Sequence, residues 1–233
     1  MKFHLAPLTA ALLLIVAINA CYLISAYQGQ VEWCVPYWDG CTTISRAGRQ
    51  SPAVFLYRGL MIPAAVFMAL YWLLFREWLS LAEDRVHELN TAMAVVGVSA
   101  AICLVLFSSI LGHPHPLLKL PRRILAGGFF VGTFLAQLML LARLWTLRRG
   151  WRAMRLSRIV GFKMIVVLIQ VLLVIMLILL RTRISASGWL ANAVEWNWVL
   201  LTSAFLTASF LAWRKTRFKG RLLLPGSAHS ILT

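Results

Sequence analysis

Six times along this sequence an apolar run reaches the roughly 20 residues that a helix needs to cross a hydrocarbon core. The runs cover 7–27, 53–75, 92–112, 124–145, 159–180 and 189–213. They use up most of the 233 residues and leave only short connections and a basic tail from Arg214. With 61% of residues in the hydrophobic set and a mean hydropathy of +0.81, a water-soluble globular domain is excluded. The expected architecture is an all-α, polytopic integral membrane protein: one bundle of six transmembrane helices over residues 1–213, followed by a cytoplasmic tail, 214–233. Lys2 ahead of an apolar run, with INAC at 18–21, also has the outline of a cleavable signal segment. The run continues past Cys21 to Ala26, however, so a retained first helix is expected.

The formal charge is +16, and its placement decides what it means. With the N-terminus inside, the cytoplasmic pieces carry Lys2, Arg76, Arg85, the run Arg148, Arg149, Arg152, Arg155 and Arg158, and the tail Arg214, Lys215, Arg217, Lys219 and Arg221. The opposite side carries fewer: Arg46, Arg49, Lys119, Arg122, Arg123, Arg181 and Arg183. That asymmetry predicts both termini in the cytoplasm and a basic face suited to anionic lipid or a protein partner. Nucleic acid is not an expected partner, because no folded basic domain is left to bind it.

This topology puts the first connection, QGQVEWCVPYWDGCTTISRAGRQS, on the exoplasmic side. There Cys34 and Cys41 fit a disulfide closing a small loop in an oxidising compartment. A metal site is not expected. The two cysteines have no second pair, and in HPHP the prolines stiffen His113 and His115 away from a shared face. The same two histidines lie on the exoplasmic side and remain candidate general bases. No glycine-rich phosphate loop, GxSxG or HExxH occurs, and no cofactor is expected.

Ionisable residues inside the apolar runs cost several kcal/mol unless paired, wetted or able to reach the interface, so each needs a reason. Lys163 and Arg143 lie near the cytoplasmic ends and read as topology anchors whose stems reach water. Arg58 lies six positions past Pro52, and Glu195 six past Trp189, so each should sit about 9 Å below the outer surface. At equal depth they can pair if their helices are neighbours. Asn192, Asn197 and Tyr57 make the same depth polar, and Pro63 interrupts the second helix. Two readings stay open: a buried pair bracing helices two and six, or a wet cleft that receives a lipid headgroup or a reacting ester. Elsewhere Gln137 and Gln170 are placed to bond each other, and Gly127, Gly128 and Gly132 to let helices approach. The segment REWLSLAEDRVHELN either continues helix two or lies on the membrane surface.

The residues PYWDGCTTISRAGRQSP, the Tyr57–Arg58 pair opening helix two and the Glu195–Trp196 pair in the last helix resemble a known membrane family. It unites the damage-regulated autophagy modulators with the lipid-remodelling factors of GPI-anchor maturation. Ile44, Ser45 and Gly48 ahead of Pro52 belong to the same pattern; Arg46, Arg49 and the CVPYWDGC insert depart from it. The resemblance implies lipid handling, with one branch associated with fatty-acid exchange on GPI anchors at the lumenal face. The expected function is therefore binding, with remodelling by acyl transfer, of a lipid or lipid-linked anchor at the exoplasmic leaflet. As an enzyme the chain would be a lipid acyltransferase or a lipid-remodelling hydrolase or transferase. The alternative is a non-enzymatic membrane scaffold or regulator of lipid organisation, and a small transporter is the least supported reading. Arg58 would hold the headgroup, with Tyr57, Asn192, Ser45 and Asp39 around it. Glu195, His113 and His115 are the candidate catalytic groups. The expected location is a bacterial inner membrane, or an endomembrane or plasma membrane in a eukaryote.

Overall fold

The computed structural model describes residues 3–83, 87–147, 156–183, 188–216 and 218. Among them all regular structure is helical. A short 3-10 turn, Phe3–Leu5, leads into α1 (Ala6–Tyr27), which starts with Pro7 in the first turn, where a missing N–H leaves no bond unmade. The one-turn helix α2 (Pro36–Asp39) also begins on proline and stops at Gly40, whose φ of 58° lies in the left-handed region. The next, α3 (Ile44–Ala47), is capped by the Thr43 hydroxyl, which accepts the Arg46 N–H at 3.0 Å.

Five long helices complete the fold: α4 (Ala53–Glu83), α5 (Glu88–Ile110), α6 (Lys119–Thr146), α7 (Ser157–Arg183) and α8 (Trp189–Lys215). The segment after Phe75 extends α4 as far as Glu83 rather than lying apart from it, and Pro63 is carried inside that helix. Five helical segments are long and apolar enough to cross a membrane: Ala6–Tyr27, Ala53–Leu81, Glu88–Ile110, Pro116–Thr146 and Ser157–Leu180. The expected sixth, α8, has the length, 27 residues, but carries Asn192, Glu195 and Asn197 in its first turns and is not among those five. The basic runs at 148–155 and beyond residue 218 lie outside the described residues.

The long helices form a closed ring in chain order. α1 packs on α4, α4 on α5, α5 on α6, α6 on α7 and α7 on α8, and α8 returns to α1. Small residues permit the close approaches. A Cβ at Gly97 of α5 would run into the Trp72 ring of α4, and Cβ atoms at Gly128 and Gly132 of α6 would meet Cys103 and Ala100 of α5. Gly127, expected to share this role, faces open space. At the end away from residues 28–52 the core is aromatic. Tyr71, Trp72, Phe75 and Trp213 are all at most 1% exposed, and their rings meet at 4.8 to 5.7 Å.

Two basic residues expected to reach water turn inward instead. Lys163 of α7 is 1% exposed; its Nζ donates to Ser209 Oγ of α8 at 2.6 Å and lies 4.1 Å from the Phe205 ring centroid and 4.9 Å from that of Phe75. Tyr71 Oη lies 3.0 Å from the same serine oxygen. Arg143 of α6, 4% exposed, donates from Nε to Asn90 Oδ1 of α5 at 2.9 Å. A polar partner on the adjacent helix and, for lysine, two ring faces offset the desolvation that would otherwise drive these side chains to the interface. Gln170 likewise donates to Thr202 of α8 at 3.4 Å, rather than to Gln137.

Gly97→Leu should destabilise the protein by about 1–3 kcal/mol, the usual cost of overpacking, while Gly127→Ala should leave the melting temperature in detergent unchanged. Lys163→Met keeps the stem and removes the amino group. By the rule that buried charge can be exchanged for apolar volume, it should be neutral or stabilising by about 1–4 kcal/mol. Lys163→Glu should abolish the monodisperse peak in size-exclusion chromatography.

Candidate functional site

The first connection is tied down along its whole length. Tyr22 of α1 donates its hydroxyl to the Cys34 carbonyl at 2.8 Å and accepts the Cys34 N–H at 2.7 Å. Ser25 bonds the Ala47 carbonyl at 2.5 Å. From α8, Asn192 donates to the Gly40 carbonyl at 2.8 Å, Trp196 Nε1 to that of Thr42 at 2.8 Å, and Asn197 to that of Tyr37 at 2.7 Å. Cys34 and Cys41 are joined in a disulfide. Gly40 lies so close to α8 that a Cβ there would strike the Trp189 carbonyl.

Pinned in this way, the connection delivers α3 to the mouth of a cavity of about 660 Å³ enclosed by α1, α4, α5, α6 and α8. Its apolar wall includes Leu14, Met61, Leu104, Phe107, Phe129, Phe130 and Val199. Its polar lining is Ser45, Tyr57 and Glu195, together with four cations, Arg49, Lys119, Arg122 and Arg123. The last three lie on the first turns of α6, spaced i, i+3 and i+4, so that they share one helix face.

Glu195 is half-buried in this wall, and its carboxyl faces the backbone N–H of Ile44 at the start of α3. Tyr57 is 2% exposed, its ring held between Gly48 and Phe107. Among the described residues no hydrogen bond takes its hydroxyl. Ser45 Oγ lies 3.2 Å from Thr43 Oγ1. At the rim, partial burial and then the repulsion of Arg122 and Arg46 push the Arg49 pKa down from the ordinary arginine value. Arginine stays charged at any relevant pH, and the two repulsive neighbours place Arg49 among other cations. Among the described residues no carboxylate pairs with Arg49, Lys119, Arg122 or Arg123.

The expected Arg58–Glu195 pair does not form. Arg58 donates from Nη2 to the Leu111 carbonyl at 2.6 Å, so it caps the C-terminal end of α5, where the helix dipole favours a cation. The reason is azimuth: Tyr57 faces the cavity that Glu195 lines, and the next residue, turned about 100° round α4, points to the end of α5 instead. Of the expected headgroup residues, Tyr57 and Ser45 line the cavity and Arg58 does not. Asn192 is engaged in holding the loop, and the Asp39 carboxylate accepts the Val35 N–H of its own turn at 2.7 Å. His113 and His115 are exposed and do not line the cavity; His115 Nδ1 caps the turn that leads into α6. The rim cations are the residues that sequence reasoning missed. In the sequence they weigh only as topology charges, although LGHPHPLLKLPRR places three of them on one face at a helix start.

No curated protein and no solved structure matches the chain. A family model does match, along residues 2–215, and this is nearly the whole of the helical bundle. The chain belongs to the Frag1/DRAM/Sfk1/Cwh43P N-terminal domain family.

Proposed function

We propose that this integral membrane protein crosses the bilayer six times with both termini in the cytoplasm, and that it binds the headgroup of a phosphate-bearing lipid or lipid-linked anchor from the exoplasmic leaflet. α8 at 27 residues spans about 40 Å, longer than a typical 30 Å hydrocarbon core. The distribution of Lys and Arg favours this orientation, with the disulfide-bearing connection on the oxidising side. The location follows as a bacterial inner membrane or a eukaryotic endomembrane or plasma membrane.

The observation that carries the lipid reading is the division of the cavity. Four cations that have no carboxylate partner among the described residues stand at its rim, and an apolar throat lies beneath them. That order matches a phosphate above acyl chains, and the volume lies in the range of small-molecule sites. Glu195, Ser45 and the Tyr57 hydroxyl line the same cavity, as acceptor and donor groups for the glycerol and ester part of such a ligand. Acyl transfer is the reaction class they would serve, with Glu195 as the base and Ser45 as an acyl carrier. The second reading, a scaffold or regulator that holds lipid without reacting on it, is favoured by the position of His113 and His115 outside the cavity, which leaves Glu195 as the one candidate base among its lining residues.

Native mass spectrometry of the protein purified in mild detergent tests the site. A phosphate-bearing lipid should be retained by the wild type. At about 1 kcal/mol per basic side chain, Arg122→Ala with Arg123→Ala should weaken its binding by roughly ten- to thirtyfold. Equal retention of zwitterionic, neutral and anionic lipids by both proteins would sink the headgroup reading. Glu195→Gln separates the two functions: it should keep the lipid bound and abolish exchange of a labelled acyl chain into a lysophospholipid. Failure of the wild type to exchange any label leaves the scaffold reading as the correct one.

A further inference from the structure

The disulfide-closed turn reaches lower than a loop resting on the end of a bundle would. Asn19 of α1 donates to the Tyr37 hydroxyl at 2.9 Å, and Asn197 of α8 donates to the Tyr37 carbonyl at 2.7 Å. Asn19 is eight positions before Tyr27, the last residue of α1, and Asn197 is eight after Trp189, the first of α8. At 1.5 Å per residue both anchor points lie about 12 Å below the helix ends. The bond to Asn197 places the Tyr37 backbone and the bond to Asn19 the tip of its ring, so the turn with this side chain dips beside α1 and α8 by about two helical turns.

Non-helical backbone at that depth is tolerated only where its polar groups are satisfied within the protein. This turn meets the requirement. The carbonyls of Cys34, Tyr37, Gly40 and Thr42 accept from Tyr22, Asn197, Asn192 and Trp196, and the N–H groups of Cys34 and Val35 donate to Tyr22 and Asp39. The side chains of the same turn do the reverse of what water would select. Trp38 is 81% exposed, Trp33 65% and Val35 58%. The helices that hold the turn are themselves apolar and exposed around this depth, at Val16 and Leu23 on either side of Asn19 and at Leu200 just past Asn197.

We propose that the Cys34–Cys41 turn is an interfacial wedge whose occupied surface is the outer leaflet itself: Trp38, with Trp33 and Val35 beside it, packs against lipid at the boundary between headgroups and acyl chains. An indole favours that layer, with its ring against acyl carbon and its N–H toward the polar zone. The contact does not depend on what fills the cavity. It fixes the depth at which the rim cations stand in the leaflet.

The test compares the wild type with Trp38→Phe in nanodiscs, because the difference in tryptophan emission isolates the Trp38 signal. Trp38 makes no packed contact in the core, so the phenylalanine variant should fold as the wild type does. Phosphatidylcholine brominated near the head of its acyl chains should quench the Trp38 component strongly; bromine near the chain ends or aqueous acrylamide should quench it several-fold less. Quenching by acrylamide with no effect of brominated lipid would put the turn in water and overturn the proposal. Protection from both quenchers, together with a dimer in native mass spectrometry, would show that a second copy covers the turn and would overturn it equally. Gly40→Ala gives a second arm, since its Cβ collides with the Trp189 carbonyl and its φ of 58° resists a side chain. It should undock the turn and raise acrylamide access to Trp38 several-fold. Unchanged access in that variant would show that the docking described here does not set the position of Trp38.

Discussion

Three donors on one helix hold this structure in its working form. Asn192, Trp196 and Asn197 lie on the first turns of α8 and take the carbonyls of Gly40, Thr42 and Tyr37. A loop lying below the ends of membrane helices must have its backbone satisfied by protein, and each orphaned group would cost several kcal/mol. Once these bonds are made, the rest is placed by covalent reach. Ile44 arrives at the Glu195 carboxyl, Gly48 closes over the Tyr57 ring, and Arg49 joins the cations of α6 at the rim.

The polarity of α8 is therefore not the anomaly that its sequence suggests. A carboxylate, two asparagines and several tryptophans lower its hydropathy because its N-terminal third faces the first connection and a cavity. Arg58 has a comparable explanation on a different partner. Its charge is held at the C-terminal end of α5, where carbonyls without intrahelical donors attract it. The two charges thus serve separate ends: one fastens α5 to α4, and the other lines the space between the helices.

Apolar run length was enough to locate the long helices, because the 20-residue requirement of a bilayer leaves few alternatives. Family-like residues around Ile44, Tyr57 and Glu195, far apart in the sequence, converge on one cavity. Which side chains meet there was not legible. Equal depth on α4 and α8 says nothing of the azimuth of either helix, which turns Tyr57 toward the space that Glu195 lines and Arg58 away from it. A rule that weighs hydration alone sends Lys163 and Arg143 to the interface; their serine, asparagine and aromatic partners lie on other helices and leave no trace in local sequence. Charge counted for orientation hid a second use of the same residues, since Lys119, Arg122 and Arg123 both bias topology and line a cavity.

The ring closes its last helix on its first, and this imposes an order in time. The bonds from α8 to the first connection join residues 152, 154 and 160 positions apart. During synthesis these loop carbonyls emerge without their α8 partners and must wait until that helix has followed. Contacts of such long range are slow to form, because the closure entropy is paid before they contribute anything. The cavity cannot exist before α8 is in place: that helix supplies Glu195 and Val199 to its wall, so the space forms only when α8 closes the ring.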